Sequence, residues 1–173
     1  MPSSSSGSPA IQNDFRAMLQ ELLDHDVDFI VVGALSAVLQ GAPVMTVDVD
    51  IVHDASKGNA ESLLAALDNM NARFRGHGEK VLRPTMERLS STGNHLLLTD
   101  YGPLDVLGAI EHGLSYSDLL EDTVDVAFDD ETIRVLTLAK YVELKEESDL
   151  ANDRARLPVL RETLRLQQEG DGE

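Results

Sequence analysis

Two aspartates stand one residue apart in the apolar run Val47-Asp48-Val49-Asp50-Ile51-Val52. A strand alternates its side chains between two faces, so Val47, Val49 and Ile51 are expected on one face and Asp48 and Asp50 on the other. Like charges held side by side repel and lose solvation, which a fold gains nothing from unless a cation binds there. A paired-carboxylate site with open positions suits Mg²⁺ bound together with substrate phosphates. A third carboxylate, Asp105, lies between apolar neighbours in Gly102-Pro103-Leu104-Asp105-Val106-Leu107. The plainer alternatives are two solvated aspartates on a sheet edge and an Asp105 that faces water.

The elements that would carry these residues follow from hydrophobic periodicity. Ile11 to Asp26 has an apolar stripe at helical spacing, Val27 to Val32 is a continuous apolar strand ended by Gly33, and Ala34 to Gln40 reads as a short helix stopped by Gly41-Ala42-Pro43. Glu61 to Met70 is a second amphipathic helix, and residues 76 to 92 look polar and irregular. His95–Thr99 and Leu104–Leu107 form a hairpin about Asp100-Tyr101-Gly102-Pro103, and Val124–Phe128 with Thr132–Leu136 form another. Ser115 caps a short helix through Leu120, and Thr137–Glu147 and Asp153–Gln168 are closing helices. This order predicts an α/β (α+β) fold with a mixed sheet, flanking helices and C-terminal helices. Residues 1–10 read as a disordered leader, 11–168 as a single domain whose part 137–168 is helical, and 169–173 as a flexible tail.

Strand, Gly33-Ala34, short helix, turn and then Asp48-Val49-Asp50 resembles the signature of the nucleotidyltransferase superfamily. The stretch from Val27 to Val52, with the later Lys145-Glu146-Glu147 and Asp153-Arg154, is most similar to bacterial AbiEii-type nucleotidyltransferases, many of them toxins of toxin–antitoxin pairs. The resemblance implies Mg²⁺-dependent transfer of a nucleoside monophosphate from an NTP to a hydroxyl. Asp48, Asp50 and Asp105 would be catalytic and hold two Mg²⁺ ions, with Asp105 drawing the proton from the acceptor. Gly33, Ala34, Lys145 and Asp153 would contact the nucleotide, with Lys140 as the fallback for the lysine. The toxin branch implies a tRNA or protein acceptor and an antitoxin partner. An aminoglycoside-type transferase acting on a small molecule is the second enzyme reading, and a catalytically silent binding module of the same fold is the third.

Three positions depart from the family pattern. Ala34 replaces the usual Ser or Gly, Val44 stands where this branch often has arginine, and Leu150 replaces an arginine before the final Asp. Ser36 would point elsewhere on its helix. Lys145 also reads as an exposed helix residue paired with nearby acids, and Asp153 as a helix N-cap. His25, His53, His77, His95 and His112 lack helical metal-ligand spacing. His53 reads as structural, while His95 could approach the site from its strand. Gly76-His77-Gly78 is too short to carry a motif.

The 173 residues suffice for a real core, and 31 acidic against 14 basic residues give a net charge of −17. Such a chain repels a long polyanion unless a local basic stripe exists, for which Arg154, Arg156, Arg161 and Arg165 are the candidates. A small-molecule, cationic or protein acceptor fits the charge more easily. No cysteine is present, which removes thiolate metal sites and fits a cytoplasmic protein. No apolar run reaches the roughly 20 residues a membrane span needs, and the N-terminus lacks a signal peptide's basic and apolar regions.

Overall fold

A computed structural model describes residues 13–172, so the expected leader and Ile11 lie outside the described residues. The first helix, α1 (Phe15–Asp24), starts where the Asp14 side chain accepts from the Ala17 N–H. It buries Met18, Leu19 and Leu22. The backbone turns at Asp26, with φ +55°, into β1 (Phe29–Val32), all four residues of which are buried. Phe29 and Val31 enter one hydrophobic cluster while Ile30 and Val32 enter another. Burial on both faces is why this strand reads as an unbroken apolar run.

Helix α2 (Gly33–Leu39) follows directly, and a loop leads to β2 (Val49–His53). The Asp-x-Asp strand is therefore shorter than expected: Asp48 precedes it, and Val47 is 68% exposed rather than sharing the core face with Val49 and Ile51. The chain continues through α3 (Lys57–Asn69), β3 (Arg73–Phe74), α4 (Met86–Leu89), β4 (His95–Thr99) and β5 (Gly102–Leu107). A small hairpin of β6 (Ala109–Ile110) and β7 (Leu114–Ser115) precedes α5 (Tyr116–Leu119). Last come β8 (Thr123–Phe128), β9 (Glu131–Leu136), α6 (Leu138–Glu146) and α7 (Ala151–Gly170). Helix α7 runs two residues into the segment expected to be a tail, and its N-cap is Leu150, which corrects the assignment of Asp153 as a cap.

Seven strands form one mixed sheet in the order β3-β4-β5-β2-β1-β9-β8. The central pair β2 and β5 is parallel, β1 is antiparallel to β2 and parallel to β9, and the outer pairs are hairpins or antiparallel neighbours. Helices α1, α3 and α4 cover one face. On the other face lie α5, α6 and α7, supplying Leu119, Tyr141, Val142, Leu157 and Leu160. Helix α2 closes one end, with Leu35 in the first cluster and Ala37 in the second. The fold is thus a mixed α/β sheet flanked by helices, with two C-terminal helices. Among the described residues no helix is long and apolar enough to cross a membrane.

Candidate active site

Parallel pairing of β2 with β5 sets Asp50 directly beside Asp105. Asp48 enters from the loop just before β2, where the Thr46 hydroxyl donates to the Asp48 carbonyl at 2.7 Å. One carboxylate oxygen from each of Asp48, Asp50 and Asp105 lies within 4.8 Å of the others. Gly33 makes this approach possible. Its φ is +66°, and a Cβ there would come to 2.2 Å from Asp50 Oδ2, so a side chain would collide with the carboxylate.

The cluster is electrostatically strained. Loss of solvation, then the charges of Asp48 and Asp105, push the Asp50 carboxyl up to about 7. Burial likewise raises Asp105, against the opposing pull of the Arg75 guanidinium. Asp50 Oδ1 is buried and has no hydrogen-bond partner among the described residues. Buried polar atoms are nearly always paired, and an orphaned oxygen on a carboxylate of this cluster is what a bound cation would satisfy.

Arg75 was not a candidate on sequence grounds. Its backbone N–H donates to Leu96 O at 3.0 Å, which extends the β3–β4 pairing, and its Nη2 donates to Asp105 Oδ1. The available signal was the alternation Arg73-Phe74-Arg75, in which Phe74 packs on the core and both arginines take the other face.

On the opposite flank of the carboxylates, a cleft of about 120 Å³ is lined by Gly33, Asp50, Ile110, Glu111, Tyr141 and Lys145, among others. Lys145 Nζ is 3.1 Å from Glu111 Oε1 and 3.7 Å from Asp153 Oδ2, and 5.5 Å from the centre of the Tyr141 ring. Burial works against its charge, but the hydrogen bond from its ammonium to Glu111 and the charges of Glu111 and Asp153 outweigh it, raising the Lys145 pKa. Asp153 is fixed in turn by the Ser148 hydroxyl at 2.6 Å. Lys145 and Asp153 therefore meet, and Lys145 shares a cleft with Asp50 and Gly33. The fallback Lys140 pairs with Glu143 and Asp122 instead.

Ala34 is the half-buried second residue of α2, and the Ser36 hydroxyl turns back to donate to Gly33 O at 2.6 Å. Val44 packs on the second cluster and Leu150 is largely exposed. His95 does not approach the carboxylates: opposite Val106 on the core face, it is buried against α4 and Phe74, and burial lowers its pKa. His53 is also buried, its Nε2 3.1 Å from Leu89 O. Of the four α7 arginines proposed as a basic stripe, only Arg156, which lies beside Tyr141, has no carboxylate partner among the described residues. Arg154 pairs with Asp149, Arg161 with Glu146, and Arg165 with Glu162 and Glu169.

No family model matches the chain, and no curated protein matches it. Solved structures do. The lincosamide antibiotic adenylyltransferase LnuA, solved with lincomycin bound, superposes with a TM-score of 0.57 at 13% identity, covering 87% of this chain and 97% of its own. ANT(2")-Ia, solved with adenylyl-2"-tobramycin, superposes with a TM-score of 0.54 at 9% identity, covering 87% and 89%. Neither match bears on the AbiEii branch. At such identities the likeness shows the fold alone, and the chain shares the fold of these two solved structures.

Proposed function

We propose that this protein transfers a nucleoside monophosphate from an NTP to a hydroxyl of a small-molecule acceptor, with Mg²⁺. The observation that carries this reading is the convergence of Asp48, Asp50 and Asp105, with the orphaned Asp50 oxygen among them, beside a cleft that holds Gly33 and Lys145. The three carboxylates fit a divalent cation, with Asp48 and Asp50 as shared ligands of up to two ions and Asp105 as a ligand on the acceptor side. A bound cation would supply electrostatic stabilisation of the attacking and leaving oxygens.

In the transfer, the acceptor oxygen bonds to the α-phosphorus, the bond from that phosphorus to the pyrophosphate oxygen breaks, and the acceptor proton passes to a base. Asp105 is the base, its affinity for a proton already raised by burial. Lys145 sets a point charge on the triphosphate side, and Asp153 holds its ammonium in place. Gly33 clears space for Asp50 and for close backbone approach of the phosphates.

A small acceptor agrees with the net charge of −17 and with the carboxylate partners that occupy three of the four α7 arginines. It also agrees with the lincomycin and tobramycin adduct held on this fold by the two solved structures. The toxin reading, with a tRNA or protein acceptor and an antitoxin partner, has less support because carboxylates pair three of the four arginines of its basic stripe. Calorimetric titration of ATP, GTP, CTP and UTP with Mg²⁺ tests the proposal. Saturable binding in the wild type, lost in Asp48→Ala/Asp50→Ala, is expected. Absence of binding by any NTP would favour the silent module.

A further inference from the structure

We propose that the ledge formed by Arg73, Arg75 and Lys80 is an acceptor subsite for a small molecule bearing a phosphate monoester, an assignment that rests on the transfer reading above. Pairing partners share a face of the sheet. Arg73 pairs with Leu98 and Leu96 pairs with Asp105, so Arg73, Leu98, Leu96, Arg75 and Asp105 all belong to the face that carries the carboxylates. Arg73, Arg75, His77, Lys80 and Leu98 line a hollow of about 270 Å³ there. In the strand order, the hollow and the Lys145 cleft lie on opposite flanks of the aspartates. One flank is thus available to the nucleotide and the other to its acceptor.

The charge of this ledge is anomalous for the chain. Five of the 14 Lys and Arg residues fall between 73 and 88. Elsewhere six of nine, Arg16, Lys140, Lys145, Arg154, Arg161 and Arg165, reach a carboxylate, while Lys57, Arg134 and Arg156 do not among the described residues. Between 73 and 88 only Arg75 does so among the described residues, and its partner is Asp105. Arg83 donates to the Ala72 carbonyl and Arg88 stacks 5.1 Å from the centre of the Phe74 ring. Arg73 and Lys80 line the hollow, with no carboxylate partner among the described residues. Cations left without a carboxylate in so acidic a protein suit an anionic ligand. Two strand spacings separate β3 from β5, roughly 10 Å, so an anion on the ledge leaves a hydroxyl of the same small molecule within reach of Asp105. Leu98 and the 47% exposed Leu96 offer an apolar floor between them. A cationic antibiotic would be repelled from this subsite.

The test is a ¹H–¹⁵N NMR titration with glycerol 3-phosphate, without metal or nucleotide, on the wild type, Arg73→Gln/Lys80→Gln and Asp48→Asn/Asp50→Asn. We expect saturable shifts over residues 73–81, affinity at least about tenfold weaker in the Arg73/Lys80 variant, and binding retained in the aspartate variant. Shifts confined to the Lys145 cleft, or no saturation, would overturn the assignment. Inorganic phosphate binding as tightly would make the ledge a bare anion site, and an RNA oligonucleotide displacing the ester at far lower concentration would make it a polynucleotide surface; either overturns it. Titrating the same samples with ATP and Mg²⁺ separates the two claims. Ester binding without ATP binding removes the transferase reading alone, and ATP binding without ester binding removes the subsite alone.

Discussion

At Asp50 the carboxyl is pushed from 3.8 to about 7, first by burial and then by its acidic neighbours. Between those values the folded chain holds a proton that the unfolded chain has released. The stability of the metal-free protein therefore falls as pH rises through that window. Asp50→Asn should flatten this dependence and stabilise the metal-free protein by roughly 1–3 kcal/mol near neutral pH and above, with little effect below about pH 4. Urea unfolding at the two ends of the window measures it. Gly33→Ala acts on the same carboxylate by collision; it should cost about 1–3 kcal/mol and weaken cation binding, read from denaturation and from Mn²⁺ titration. Arg75 competes with a cation for Asp105. Arg75→Gln should tighten Mn²⁺ binding by about tenfold, and unchanged affinity would mean that the guanidinium and the ion do not share Asp105.

Among the elements, α6 and α7 act together on the nucleotide side, because Lys145 from one is held by Asp153 from the other. Lys145→Gln and Asp153→Asn should each weaken NTP binding, and their double-mutant cycle should show a coupling of about 0.5–3 kcal/mol. Additive losses would separate the two residues. Elements with a sustained period were legible in the sequence: α1 by its stripe, β1 by burial on both faces, and the β4–β5 and β8–β9 hairpins by alternation between turns. Strands β3, β6 and β7 have two residues each and α4 has four, too few to show a period. Asp50 and Asp105 stood out singly, but their register is a product of the β2–β5 pairing across 55 residues of chain. Arg75 reaches Asp105 only through β3, β4 and β5 in sequence-distant contact, so its role was not visible. The apolar alternation extended the Asp-x-Asp strand back to Val47, whereas the chain there is loop, and Asp48 reaches the cluster from it.

For the whole molecule, the dominant fact is 31 acidic against 14 basic residues. Self-repulsion of that charge destabilises the compact state and is screened by salt. The melting temperature should therefore rise by several degrees between low and physiological ionic strength; a fall would mean that the surface ion pairs outweigh the net charge. The same acidity concentrates cations near the molecule, but only Asp48, Asp50 and Asp105 are shaped to hold one among the described residues. The most direct test of that claim is Mn²⁺ binding followed by EPR at neutral pH, with and without ATP, in the wild type and in Asp50→Asn. Saturable binding that ATP strengthens and Asp50→Asn abolishes is the predicted result. Identical, weak and ATP-independent binding in both proteins would contradict a cation site at the carboxylates and the transfer chemistry built on it.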